Sequence, residues 1–241
     1  MMGNRRGAAA LGVAGVLAFA AFAFCGIAAR CMAEPIPILP EGDVFRYAFD
    51  PAEHSRWQVF TGGVEVTAIG ISNGAAGKGG AYVFDAENGS PVGFGSRSSN
   101  GNTWIWGCSF SNATQRSVRN VRLRLGAGQW GCTGFNKTND FLAAHWLISR
   151  NAADISCDGE WHPIGAPFFV PSVTAPCAQI NFPVLAPAME IPVARILKPD
   201  ERLLVRFTDY SPKTGGNAAM GIWLFELECD IPPLGFAVGV R

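Results

Sequence analysis

Residues 118–130 read VRNVRLRLGAGQW. Val121, Leu123 and Leu125 alternate with Asn120, Arg122 and Arg124, the period-two pattern of a strand with one face in a core and the other in water. A strand of this kind needs a second layer over its apolar face, and the remaining sequence offers further strands rather than helices. Candidate strands cover 44–49, 57–60, 64–72, 81–85, 103–110, 118–125, 142–150, 167–170, 189–196, 202–208 and 219–229. Between them lie NGAAGKGG (73–80), ENGSP (87–91), SRSSNGN (96–102), CDGEW (157–161) and SPKTGGN (211–217). Their Asn-Gly and Asp-Gly pairs tolerate the positive φ of tight reversals. The one stretch with helical composition, FLAAHWLISR (141–150), also alternates and reads as a strand. No repeat of fixed period is present, which argues against a solenoid or propeller. The pattern predicts an all-β fold over 44–230: an antiparallel two-sheet β-sandwich, jelly-roll-like.

The N-terminus differs in kind. Arg5 and Arg6 precede an apolar run from Ala8 to Ala29, and Cys31-Met32-Ala33 offers small residues where a signal peptidase cuts. Residues 1–33 therefore read as an apolar leader helix that serves as a signal peptide. The run, about 22 residues long, also suffices for an uncleaved N-terminal membrane anchor. Either way the expected location is outside the cell or at its envelope. Residues 34–43, EPIPILPEGD, are proline-rich and read as an extended linker, and 231–241 as a short C-terminal tail.

Charge narrows the partners. Lys plus Arg and Asp plus Glu number 19 each, but the leader holds Arg5, Arg6 and Arg30 and no acid, which leaves 16 bases against 19 acids. Such a chain lacks the broad basic field that nucleic acid requires. Beyond Ala33 the cysteines are Cys108, Cys132, Cys157, Cys177 and Cys229. In an oxidising compartment they allow up to two disulfides and one leftover thiol, with the pairing open. No CxxC or Cys/His cluster suggests zinc.

Several motifs together resemble a family. Gly93-Phe94-Gly95-Ser96, the stretch Trp106-Gly107-Cys108-Ser109-Phe110-Ser111-Asn112-Ala113-Thr114, the strand Val121 to Leu125 and Gly128-Gln129-Trp130 follow one another in order. Asp158-Gly159-Glu160-Trp161 and Leu204-Val205-Arg206-Phe207-Thr208-Asp209 come later. This series is similar to the jelly-roll β-sandwich modules of bacterial exported proteins, the kind found alone, beside extracellular nucleases or in PEP-CTERM-type proteins. The match covers roughly residues 80–229. Two departures stand out: the family's glutamate before the glutamine is missing ahead of Gln129, and Gly221-Ile222-Trp223-Leu224 replaces a late aspartate pair. If that pair binds a cation in relatives, this chain has lost the option. The resemblance implies a fold and export, and no agreed activity.

Candidate site residues follow from faces. Arg122 and Arg124, with Asn120, project from the wet face of their strand, where the guanidinium fork suits carboxylates and sulfates of a glycan or cell-envelope polymer. Trp104, Trp106, Cys108 and Phe110 share one strand face, and Trp223, Phe225, Leu227 and Cys229 another; both read as core. Trp57, Trp130 and Trp161 sit beside turns and are the better sugar-contact candidates, Trp130 and Trp161 above all. Glu226, Glu228 and Asp230 project from one face in steps of about 7 Å. That spacing gives the alternative reading, a jelly-roll glycan hydrolase with Glu226 and Glu228 as its two carboxylates. Nucleophile-elbow, phosphate-loop and EF-hand patterns are missing, and His54, His145 and His162 lack ligand spacing. The expectation is a non-catalytic module with no cofactor or resident metal; calcium has only loop oxygens such as Asp43, Asp50 or Asp230 to recommend it. The sequons at Asn88 and Asn112 read as turns.

Overall fold

The alternating run does form a strand, and it extends past the alternation: β9 spans Arg119–Cys132. The computed structural model describes residues 33–39, 42–75, 78–85, 89, 91–98, 101–132, 140–174, 183–211 and 218–233. The leader, most of the C-terminal tail, Asn88 and Cys177 lie outside these. In chain order the other strands are β1 (Ile36–Ile38), β2 (Val44–Ala48), β3 (Gln58–Thr61), β4 (Val64–Glu65), β5 (Gly70–Ser72), β6 (Gly80–Phe84), β7 (Gly93–Arg97) and β8 (Trp104–Asn112). After β9 come β10 (Phe141–Ser149), β11 (His162–Phe169), β12 (Val184–Leu185), β13 (Met189–Pro192), β14 (Arg202–Tyr210) and β15 (Ala218–Asp230). A 3-10 helix at Pro51–Arg56 is the one helical element among the described residues.

Two sheets result. The first has the order β11-β10-β14-β8-β3-β4 with β1 beside β8; the second has β12-β9-β15-β7-β6-β5, with β13 also on β9 and β2 also on β15. Pairing is antiparallel except for β1 with β8 and β5 with β6. Trp106, Phe110 and Phe207 of the first sheet meet Phe94, Leu123 and Phe225 of the second in one continuous core. Trp106 stacks on Phe207 with centroids 4.6 Å apart and meets Phe94 edge-on at 5.7 Å, while Phe110 stacks on Phe225 at 6.0 Å. Burial of each large apolar side chain contributes about 1.5–3 kcal/mol, so this layer is the main source of stability. The fold is a β-sandwich.

Both outer faces carry a smaller apolar layer. Phe60, Leu147, Ile155 and Leu204 cluster on the first sheet, where the segment 150–161 folds over it. Phe84, Trp130 and Ala219 cluster on the second.

The structure corrects several expectations. Residues 36–38 are not linker: Ile36 and Ile38 are buried and pair in parallel with Phe110 to Asn112 of β8. Pro37 is tolerated there because β1 is an edge strand. The run 64–72 is not one strand but two short ones. GFGSR, at 93–97, forms the buried strand β7, so Ser96 and Arg97 belong to a strand and not to the turn expected over 96–102. Trp223 leaves the face of Phe225, because a bulge between Ile222 and Leu224 shifts the register against β9 and turns Trp223 outward over Gly126. No disulfide forms among the described cysteines Cys108, Cys132, Cys157 and Cys229. Cys108 and Cys229 serve as small apolar core groups, and burial pushes both thiols up, Cys229 to about 12.

Candidate functional site

The outer face of β9 holds the arginines singled out from sequence, and the neighbouring strands decide what they meet. Arg122 lies opposite Glu228 of β15, and Glu228 lies opposite Arg46 of β2. Arg124 lies between Glu226 of β15 and Glu190 of β13. Cross-strand ion pairs follow: Arg46 Nε to Glu228 Oε2 at 2.8 Å, Arg124 Nη1 to Glu226 Oε2 at 3.1 Å, Arg122 Nε to Glu190 Oε1 at 3.9 Å, and a close contact between Arg122 and Glu228. Two guanidinium groups, Arg46 first and then Arg122, hold the Glu228 carboxyl below its usual range, and Glu228 in turn raises Arg122. Three arginines and three glutamates thus alternate in sign across four strands. The pattern neutralises itself, and Arg122 and Arg124 are occupied rather than waiting for a ligand.

Positive charge outside this lattice of ion pairs appears further along the strand. Between Glu228 and Asp230 the pairing of β15 slips against β9, so Asp230 faces Arg119 instead of Asn120. The bulge puts Asn120 at φ +49°, a conformation that asparagine tolerates, and exposes Arg119 and Asn120 together. Asn120 Nδ2 donates to Asp230 Oδ2 at 2.7 Å, which secures the bulge. Arg119 is left facing a groove of about 490 Å³ lined by Arg119, Arg122, Val121, Pro192, Arg195 and Ile196, among others. Arg119 and Arg195 make no ion pair among the described residues. Arg195 also borders a second depression, of about 340 Å³, toward Asp158, Glu160 and His162.

The tryptophan candidates lie elsewhere. Trp130 is a correction: at 1% exposure it is a plug under the outer layer of the second sheet, stacked on Phe84 at 5.2 Å and 13°. Gly93 makes room for it, since a Cβ there would lie 2.2 Å from its ring. No sugar reaches such a ring. Trp161 is half-buried; its indole N–H donates to the Cys157 carbonyl at 3.0 Å, and the Arg206 guanidinium covers one ring face at 3.9 Å. Trp57 is buried in the main core. The neighbouring Gln129 uses its amide as a backbone mimic, accepting from Val173 N–H at 3.0 Å and donating to Val173 O at 2.9 Å. Asn112 is likewise spent on turn geometry, its side chain bonded to Thr114, Arg116 and Leu197. It is buried and offers no acceptor for a glycan.

Among the described residues no group of three or more His, Cys, Asp or Glu could hold a metal ion. Of the oxygens suggested for calcium, Asp43 and Asp230 line one groove with Arg119, whose charge opposes a cation, while the Asp50 carbonyl accepts the Glu53 N–H in the turn that opens the 3-10 helix.

Sequence reasoning assigned no role to one polar group, Asp209, which it met only as the end of a late motif. Asp209 of β14 is fully buried between the sheets and accepts a hydrogen bond from Ser96 Oγ of β7 at 2.8 Å, and Ser96 Oγ accepts from Trp106 Nε1–H at 3.1 Å. Burial, with Asp140 adding repulsion, pushes the Asp209 carboxyl up to about 7 despite the pull of Ser96. Burial also raises Asp140, whose Oδ2 accepts the Ala218 N–H at 3.2 Å. The sequence signal was an aspartate on the same face as Leu203, Val205 and Phe207, near the end of the strand.

No family model matches the chain, and no curated protein matches it in sequence. A solved structure, the enzymatically active domain of tailspike protein 4 from bacteriophage CBA120, is similar over 71% of this chain at 13% identity and a TM-score of 0.32. The chain spans about a fifth of that protein's length, 19%. No helix among the described residues is long and apolar enough to cross a membrane.

Proposed function

We propose that the chain is an exported, non-catalytic β-sandwich module of the jelly-roll kind that holds an acidic glycan or cell-envelope polymer at the groove between Arg119 and Arg195. The observation that carries this reading is the pairing pattern. Every arginine inside the lattice has a glutamate, whereas Arg119 and Arg195, which line the groove beside the paired Arg122, make no ion pair among the described residues and flank apolar Pro192 and Ile196. An apolar surface of this kind with guanidinium groups on its rim suits a chain bearing carboxylates or sulfates, which the planar fork binds in bidentate fashion. Export rests on the leader. Recognition is by charge and not by stacking, because Trp130 is buried and Trp161 is capped.

The hydrolase alternative meets a physical obstacle. Acid catalysis needs one carboxyl raised toward neutrality, and Glu228 is pulled down by Arg46 and Arg122 while Glu226 is tied to Arg124.

Purified protein on an array of neutral, uronate-containing and sulfated glycans tests the proposal. Binding confined to the acidic members, weakened at least tenfold by Arg119→Ala with Arg195→Ala and by high salt, supports it. Binding of neutral glycans alone, or of none, overturns it.

A further inference from the structure

We propose that Asp140, Asp209, Ser98 and Ser211 form a site for a hard divalent cation, calcium by its chemistry, at one end of the space between the two sheets. The backbone register brings the two carboxylates together. Phe141 pairs with Tyr210 and Leu142 with Asp209, so Asp140 stands opposite Ser211 and diagonal to Asp209 on the inward face shared with Leu142. Diagonal neighbours of this type have Cβ atoms about 7 Å apart, within reach of one ion. From the other sheet, Ser96 and Ser98 project inward at alternate positions of the same segment.

The polar atoms already in use are few. Ser96 bonds Asp209 Oδ2 and the Ala218 N–H bonds Asp140 Oδ2. Asp209 Oδ1, Asp140 Oδ1, Ser98 Oγ and Ser211 Oγ are all buried and make no hydrogen bond of normal length and angle. The four residues are 0%, 1%, 1% and 9% exposed. The Ser98 hydroxyl and N–H both lean on Asp209 and the Ser211 hydroxyl leans on Asp140, in contacts too long or oblique to be full hydrogen bonds, so the under-used oxygens converge rather than scatter. Buried oxygens are almost always partnered, and several orphans at one place call for an explanation.

Neither carboxylate has a cationic partner among the described residues. Arg97, which stands between the two serines, points to the opposite face of β7, toward Tyr82 and Cys132. Two carboxylates and two hydroxyls, with no nitrogen or sulfur among them, form the ligand chemistry of a hard divalent ion. This set holds two acids and so falls short of a cluster of three or more metal-binding side chains. The hydroxyls supply the rest.

The test uses the whole protein stripped with EDTA at pH 7.5. Added calcium chloride raises Tm by about 5 to 10 °C at a hundredfold excess over Kd. Terbium, excited through tryptophan, gives sensitised luminescence, because Trp106 touches the site through Ser96, and calcium competes it away. Asp140→Asn and Ser98→Ala each weaken binding at least tenfold; Ser98→Ala keeps both carboxylates, so it reports even if an aspartate variant fails to fold. No Tm shift and no luminescence up to about 10 mM cation, beyond the range of extracellular calcium modules, overturns the proposal in favour of a proton shared by the two acids. Binding that survives unchanged in both variants overturns it as well.

Discussion

Asparagine at position 209 keeps the shape of the side chain and an oxygen to accept the Ser96 hydroxyl, but removes the charge. The consequence for stability depends on pH, and its sign can be worked out. The Asp209 carboxyl titrates near 7 in the fold, raised first by burial and then by Asp140; in the unfolded chain it titrates near 3.9. Between those values the native state holds a proton that the unfolded state has released. Wild-type stability therefore falls as pH rises from about 4 to about 7 and levels off above. Three pH units at 1.36 kcal/mol each give a loss of about 4 kcal/mol. Asp140 is raised too, but it contributes to both proteins and largely cancels in their difference. Urea unfolding in EDTA at pH 4, 6 and 8 measures the effect: relative to Asp209→Asn, the wild type loses about 4 kcal/mol across the series. A difference that does not change with pH refutes the reasoning. So does a wild type that gains with pH, since it would mean that Asp209 is ionised in the fold and held by partners.

Four further outcomes follow from the same structure. Trp130→Ala lowers stability by about 3–5 kcal/mol in urea unfolding, and leaves glycan binding per folded molecule unchanged, because the ring is a plug. Gly93→Ala forces the Trp130 ring aside and destabilises by about 1–3 kcal/mol, and Trp130→Leu relieves much of that loss in a double-mutant cycle. Glu228→Gln releases Arg46 and Arg122, lowers Tm only slightly, and its effect shrinks in 1 M salt; an effect independent of salt would contradict a surface network. Among the four described cysteines, Cys157 reacts first with a thiol reagent in the native protein, and mass spectrometry after unfolding without reductant finds no bond joining any two of them.

What the sequence determined by itself is what depends on nearest neighbours in the chain. The alternation at 118–125, the aromatic face of 104–110, the candidate strand at 202–208 and the Gly-rich turns settled the all-β class and most strand positions, because side-chain direction in a strand has a period of two. That logic failed wherever the period slipped. One bulge sent Trp223 to the outer layer, and another exposed Arg119 beside Asn120; neither leaves a mark in the alternating letters. It failed as well where pairing reached across the chain. Ile36 and Ile38 became a strand through β8, and GFGSR became a buried one between β6 and β15. The fate of Arg122 and Arg124 was undecidable locally, because the glutamates that neutralise them come from positions about a hundred residues away in the sequence, or from β13. The opposing carboxyls and serines between the sheets, and the two arginines at the groove outside the lattice of ion pairs, likewise exist only once register and sheet order place them. A face can be read from a strand, but what lies across from it is a property of the tertiary structure.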